Sequence, residues 1–425
     1  MRFCMVSTFY PPFSFGGDAI SVQRLSRALV RRGHEVTVVH DVDAYQVLHQ
    51  GPMPPLRKED EDQGVRVIRL KSRWGPLSPL LVHQLGRPVV HTRRFRDLFR
   101  SGRFDVVTFH NPSLIGGPGI LAWPENAVTV YMAHEHWLIC PTHVLWRHKK
   151  EPCDRRECLR CVAAYHRPPQ VWRYTGAIAR ALRQVDVLIA LSEFSREKHR
   201  AFGLEREMTV LPNFVPDRID EPPINAVSPH PRPYFLFAGR LERIKGLDDV
   251  LPVFRSLPEA DLLVAGEGSH GPSLHRISAG QTNVRFLGRL DQTTLSHFYR
   301  HAVAAIVPSV CYEIFPLVLI EALREGTPVV VRRIGPGPEI VSASGAGETF
   351  SSPDELLGIL KRLVNDPEHR NSLGLRAVQA VHERWTEAVV VPQYLDLVRT
   401  AARRRGLPIG ATSANTLAPS GTVSV

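Results

Sequence analysis

The stretch "SVCYEIFPLVLIEALREGTPVV" carries two glutamates, Glu313 and Glu321, with seven residues between them. Pro316 stands where a first helical turn would begin, and Gly326 stands where that helix would end. A proline there leaves neighbouring N–H groups to face an anion, while a loop carboxylate and a helix carboxylate can each accept hydrogen bonds from sugar hydroxyls. A bare glutamate pair is more often a solvated surface feature. It gains meaning from "FLFAGRLERIKGLDDV", where Arg240 and Lys245 follow a strand-like run and could neutralise a diphosphate whose charge grows as it leaves. Gly16 and Gly17 in "FSFGGDAISV" occupy the matching place after the first apolar run. A Gly-rich turn at that point either borders a phosphate or is a plain tight turn.

A second constellation lies in "MAHEHWLICPTHVLWRHKKEPCDRRECLRC". It holds His134 and His136 and four of the six cysteines: Cys140, Cys153, Cys158 and Cys161. Four thiolates meet the closed tetrahedral demand of a structural zinc, with His143 and His148 as spare candidates. Reduced, metal-free thiols are the alternative. The closing cysteine spacing echoes part of an iron–sulfur pattern, but nothing else suggests electron transfer. Residues 141–160 have little apolar periodicity and many Arg, Lys and His side chains, so burial alone would not hold them in shape. Cys4 and Cys311 sit in apolar, strand-like contexts and read as core.

These residues need elements to position them. "RFCMVSTF", a Pro/Gly loop, "DAISVQRLSRALVRRG" with Val22, Leu25 and Leu29 on one face, and "HEVTVVHD" form a βαβ opening. Further runs at 104–110, 127–134 and 185–192 are continuously apolar, as expected of parallel strands covered on both faces. Residues 216–233 contain six prolines and read as a linker. The strand and helix alternation then restarts. The expectation is an α/β protein of two facing Rossmann-like domains with a central cleft: residues 1–215 with the cysteine-rich insertion at 140–161, and residues 234–385. A helix at 386–402 should pack back on the first domain, and the small, polar segment 403–425 reads as a disordered tail.

The net charge of +11, from 53 Lys plus Arg against 42 Asp plus Glu, favours anionic partners. Residues 66–103 carry ten of those cations and a single acid, Asp97, interleaved with Trp74, Leu77, Leu80, Leu81 and Phe95. That mixture suits an anionic membrane surface, or else a solvated basic face over an ordinary core. No run of 18 apolar residues occurs, and Pro and Gly interrupt the start too early for a signal peptide, so the chain is expected in the cytoplasm, peripheral to the inner face of the cell membrane. A basic zinc-containing nucleic-acid-binding protein would account for charge and cysteines but not for the glutamate pair. A nicotinamide-dependent oxidoreductase is disfavoured because "GEGSHG" lacks the full dinucleotide fingerprint.

Taken together, the Gly16–Gly17 loop, "RRGHEVTVV", "VDVLIALSEFSREK", "VLPNFV", "FAGRLERIKG", "FLGRL" and "EIFPLVLIEALREGTPVV" resemble the retaining, nucleotide-sugar-dependent glycosyltransferases of family 4, which have the GT-B fold. The resemblance implies transfer of a sugar from a UDP- or GDP-linked donor to a sugar or lipid-linked acceptor in cell-surface polysaccharide or glycolipid biosynthesis, with no metal needed for chemistry and no nucleic-acid partner. By the same resemblance Glu321 binds the donor ribose, Glu313 contacts the donor sugar, Arg240 and Lys245 hold the diphosphate, and His134 lies beside the sugar at the end of a first-domain strand. Where the family often has glycine, this chain has Ile314 or Pro316. Pro lacks an N–H, so the anion cradle would rely on Phe315 and Leu317.

Overall fold

The computed structural model describes residues 1–49, 51–55, 61–217 and 227–408. Apolar runs alternating with amphipathic segments build two parallel sheets. The first contains β1 (Arg2–Ser7), β2 (Glu35–Asp41), β3 (Glu61–Asp62), β4 (Val65–Leu70), β5 (Val106–Asn111) and β6 (Val128–Ala133). A separate short hairpin follows, β7 (Trp146–Arg147) with β8 (Glu151–Pro152), before β9 (Val187–Ala190) and β10 (Thr209–Val210) complete the first sheet in the order β10, β9, β6, β5, β1, β2, β4, β3. All of its pairings are parallel except the edge pair of β3 with β4.

The second sheet contains β11 (Tyr234–Ala238), β12 (Asp261–Ala265), β13 (Val284–Gly288), β14 (Ala304–Val307), β15 (Val329–Arg332) and β16 (Gly347–Phe350). Its order is β13, β12, β11, β14, β15, β16, and every pairing is parallel. Crossover helices cover both faces, which is why β1, β6, β9 and β12 are apolar along their length rather than alternating. The result is the GT-B arrangement of two Rossmann-like domains.

The chain crosses between domains at two adjacent points. Val215 forms an isolated bridge with Thr386, and its N–H donates to the Trp385 carbonyl. Beyond that point the helix Glu387–Arg405 lies on the first domain: the Tyr394 hydroxyl meets the Thr108 hydroxyl at 2.6 Å, and Arg31 and Arg32 both pair with Glu387. One apolar cluster consequently runs through both domains, from Phe3, Val22 and Leu25 through Phe214 to Leu317, Ile320 and Tyr394.

The sequence expectations need adjustment at three places. The last helix reaches Arg405, into the segment read as a loose tail, because the Arg405 guanidinium donates to the Ala127 and Glu125 carbonyls and pairs with Asp186; residues 409–425 lie outside the described residues. Within the expected linker, residues 218–226 are likewise outside, whereas its end is fixed to the second domain by His230 Nε2 at 2.7 Å from Asp261 Oδ2. The basic tract 66–103 begins inside the sheet, as β4, before the helices Leu77–Leu85 and Thr92–Ser101.

Candidate active site

Lys245 and Glu313 come from different loops at the carboxyl edge of the second sheet and meet at 2.9 Å. Gly246 makes the meeting possible: it is left-handed (φ +74°), and a Cβ there would stand 2.1 Å from the Pro308 carbonyl oxygen, so only a bare α-carbon lets this turn pass so close to the end of β14. The Val310 N–H donates to the Ile244 carbonyl and fixes the two loops together. Ser309 Oγ also donates to Glu313 Oε1. Burial alone would push the Glu313 carboxyl up, but the Lys245 ammonium and the Ser309 hydroxyl overcome it and hold the group below the usual carboxylate range. Burial would likewise lower the Lys245 ammonium, and the Glu313 carboxylate reverses that, keeping it above its ordinary value. The pair is therefore ionised at neutral pH.

Arg240 is half exposed and donates to Glu242 Oε1 at 2.6 Å. It is near enough for its charge to act on both Lys245 and Glu313. Pro316 is the residue before the helix Leu317–Arg324, not its first residue, and Phe315 and Leu317 are both buried beside it.

The first domain reaches the start of the helix that follows Glu313. Gly17 opens the helix Gly17–Arg31, and a Cβ on it would stand 3.0 Å from Leu317 Cδ1, so the starts of two helices from different domains touch. Gly16 is extended at the helix entrance. His134 follows β6 directly, with its Nε2 at 3.0 Å from His110 Nδ1. Burial pushes the His134 imidazole down to about 4 against a raising influence from Asp18 in the first turn of the helix Gly17–Arg31, and burial also holds His110 well below its ordinary value. Both rings are neutral at pH 7, and a single proton serves their shared hydrogen bond.

Glu321 is placed differently from what its expected role suggests. It is 7% exposed, and its Oε1 accepts from Arg24 Nη2 on the first domain's helix, while Arg24 Nη1 donates to the Phe214 carbonyl. The second glutamate thus ties the domains together in this closed arrangement. His136 reaches across to the second domain, its Nε2 3.3 Å from the Tyr312 carbonyl oxygen beside Glu313, while Glu135 pairs with His143 at 2.9 Å. Three further contacts bind the domains. Ser192 donates to the Ile314 carbonyl at 2.8 Å, the Glu193 and Phe194 N–H groups donate to the Glu339 carboxylate, and the Lys198 ammonium stands 4.2 Å from the centre of the Tyr312 ring.

Of these residues the sequence reading missed Arg24, Asp18, Ser309 and Glu339. Arg24 lies off the face formed by Val22, Leu25 and Leu29, in a row with Ser21 and Ala28, so the apolar periodicity gave no signal for it. Cys140, Cys153, Cys158 and Cys161 are gathered around one small cavity away from Glu313.

Comparison with known proteins agrees with this fold. Residues 15–218 match the family described as Glycosyltransferase Family 4, and residues 220–379 match Glycosyl transferases group 1. The chain is 28% identical over 410 residues to a glycogen synthase of Mycobacterium tuberculosis, covering 91% of this chain and 90% of that protein. Its fold is similar to sucrose-phosphate synthase of Thermosynechococcus elongatus (TM-score 0.71, 19% identity, 95% of this chain and 99% of that one). It is also similar to Anabaena HepE in complex with UDP (TM-score 0.66, 16% identity, 94% and 100%).

Proposed function

The chain belongs to the family 4 glycosyltransferases of the GT-B fold, and from that premise we propose that it transfers a sugar from a UDP- or GDP-linked donor to an acceptor of cell-surface polysaccharide or glycolipid, with retention of anomeric configuration. The observation that carries this reading is the ionised Lys245–Glu313 pair, with Glu313 on the loop leading into the helix whose first residue, Leu317, meets Gly17 of the other domain. Lys245 and Arg240 supply positive charge where a diphosphate leaves, and that charge matters most once the bond to the sugar has stretched. Both described hydrogen bonds to Glu313 fall on Oε1, so Oε2 serves a donor-sugar hydroxyl. Glu321 turns Oε2 to the ribose while Arg24 holds Oε1. His134, neutral at working pH, orients the sugar as a hydrogen-bonding group and carries no charge into the site. The departing phosphate takes the acceptor proton on the face it vacates, and the closed domains keep water from the donor. The UDP bound by HepE supports a uridine donor within this reading.

The first domain supports an acceptor held at a lipid surface. Trp74, Leu77, Leu80 and Leu85 are all exposed, Trp74 by 58%. Lys71, Arg73, Arg87, Arg93, Arg94 and Arg96, in the same stretch of chain, are exposed as well. Exposed apolar side chains interleaved in sequence with cations suit an anionic lipid headgroup layer. Among the described residues no helix is long and apolar enough to cross a membrane. Nothing in the fold or the comparisons supports the nucleic-acid reading.

The test is a screen of thermal stabilisation and donor hydrolysis across UDP-, GDP- and ADP-sugars with the full chain. One nucleotide class should raise the melting temperature and be hydrolysed slowly, and Lys245→Ala should abolish the hydrolysis. Stabilisation by none of the three classes would refute the donor site.

A further inference from the structure

Beyond His136, the excursion that runs to the helix Ala177–Leu182 has no part in the site just described, and its shape lacks an evident source. Among the described residues seven non-glycine residues have positive φ, and five of them, His143, Leu145, His148, Lys149 and His166, fall in this one excursion. A backbone held repeatedly in that region needs surroundings that over-determine it. Leu145 and Trp146 are buried here, but the only regular structure between 140 and 157 is the two-residue hairpin of β7 and β8.

At the centre of the excursion Cys140, Cys153, Cys158 and Cys161 line one small, partly open cavity of about 20 Å³. Arg147 and Glu157 are the charged side chains in its wall, and neither His143 nor His148 reaches it. That volume admits one atom of water size. Cys140 and Cys161 are buried, and the His148 N–H donates to Cys161 Sγ at 3.4 Å, as a backbone amide does to an electron-rich sulfur. The surrounding charge is arranged for an anionic centre. The half-buried Arg173 guanidinium lies against the rings of Trp137 and Trp172, at 5.5 and 4.8 Å from their centres, with Nη2 lacking a hydrogen-bond partner. Its charge acts on Cys140 and Cys158, that of Arg156 on Cys158 and that of Arg147 on Cys161.

We propose that Cys140, Cys153, Cys158 and Cys161 bind one zinc ion as a structural tetrathiolate centre that fixes the excursion onto the first domain. Four soft sulfur donors select zinc over hard cations, the Glu157 carboxylate in the wall being paired with Arg147 and Arg155, and the closed donor set leaves no position for substrate. Four thiolates around a divalent ion carry two net negative charges, which the neighbouring guanidiniums offset. No three of the sulfurs lie within 4.8 Å of one another, whereas zinc at about 2.3 Å from each would bring them to roughly 3.8 Å. Binding therefore draws the side chains inward, by rotation about Cα–Cβ bonds, into a cavity that all four already face. On binding, each thiol loses its proton to solvent as its sulfur takes a place on the ion. The ends of the clamped segment carry Glu135 paired with His143, beside His134, and Arg156 bonded to the Phe202 carbonyl. The centre thus braces one wall of the cleft without entering it.

The full chain, purified without added metal, is tested by elemental analysis, and about one zinc per chain is expected. An organomercurial added stepwise should release that zinc as four thiols react. Replacement by cobalt(II) should give the intense thiolate-to-metal absorption of a tetrahedral sulfur site. Cys158→Ser should lower zinc content and melting temperature together, while Cys4→Ala keeps its zinc. If Cys158→Ser does not fold, the metal content and thiol count of the unaltered chain still decide. Metal-free protein with four free thiols and unchanged stability after exhaustive chelation would overturn the site, as would a disulfide among the four. Neither result bears on the donor site, whose test is the nucleotide-sugar screen.

Discussion

At the scale of single residues, the two glutamates of one motif do different work because their partners differ. Glu313 lies beside a cation that a donor's leaving group would share, so Lys245→Ala removes charge that matters most in the transition state. It should lower kcat by about 10²–10³-fold, with a smaller change in KM, in a steady-state transfer assay. Equal falls in kcat for Lys245→Ala and Lys245→Arg would indicate lost packing instead of lost charge. Glu321 lies beside Arg24, 297 residues away in sequence. Arg24→Met strands a buried carboxylate and should cost roughly 3–5 kcal/mol of stability. Glu321→Gln, which can still accept a hydrogen bond, should cost less. If the ion pair is the link, the double variant costs less than the two single variants summed, by at least about 1 kcal/mol in denaturant unfolding. Strict additivity would show the two side chains to be energetically independent. The glutamate spacing was legible because both residues sit on one strand–loop–helix unit. Arg24 was not, because its partner is chosen only when two separately folded sheets close on one another.

At the scale of elements, the strands were the most readable feature. Continuous apolar runs such as "VTVYMA" admit few readings other than a strand covered on both faces. β16, "GETF", is short and half polar, and its place at the sheet edge comes from pairing with β15, which no local pattern announces. The basic tract shows a related limit. Charge and hydrophobicity marked it as a surface, but its first residues belong to a sheet strand in which Arg66 is exposed between buried Val65 and Val67 and Arg69 is half-buried beside Leu70. Only the helices after it carry the exposed Trp and Leu side chains. That division makes the surface testable by element. The full chain should bind vesicles containing anionic lipid reversibly, about tenfold more weakly when Trp74 and Leu77 are both changed to Ser, and more weakly again as salt rises. Changing Arg66 in β4 to Gln should leave binding nearly unaltered. Equal binding to neutral and anionic vesicles would remove the electrostatic basis of the surface.

At the scale of the whole molecule, the two domains and the last helix share one apolar cluster, and with it a set of histidines folded away from water. Burial holds His40 down to about 3, and holds His134 and His199 down to about 4. The ordinary value is near 6.5, so the folded chain refuses protons that the unfolded chain accepts. Above pH 6.5 both states are neutral at these rings and the full stability is present. As pH falls from 6.5 toward 4 the unfolded state gains protons and stability is lost, by about 1.4 kcal/mol per pH unit for each histidine wholly within that window. His40 separates this effect from acid-driven loss elsewhere, including at thiolates. It is fully buried, lies 5.6 Å from the Phe13 ring, and neither ring nitrogen has a partner. In His40→Phe an apolar ring of similar size replaces one that must stay neutral, so stability at pH 7 should hold or rise. The melting temperature of the unaltered chain should fall steadily between pH 6.5 and 5, and the slope in His40→Phe should be shallower by about one proton. An unchanged slope in that variant would mean that His40 takes up its proton equally well in the folded chain, and that the acid sensitivity arises elsewhere.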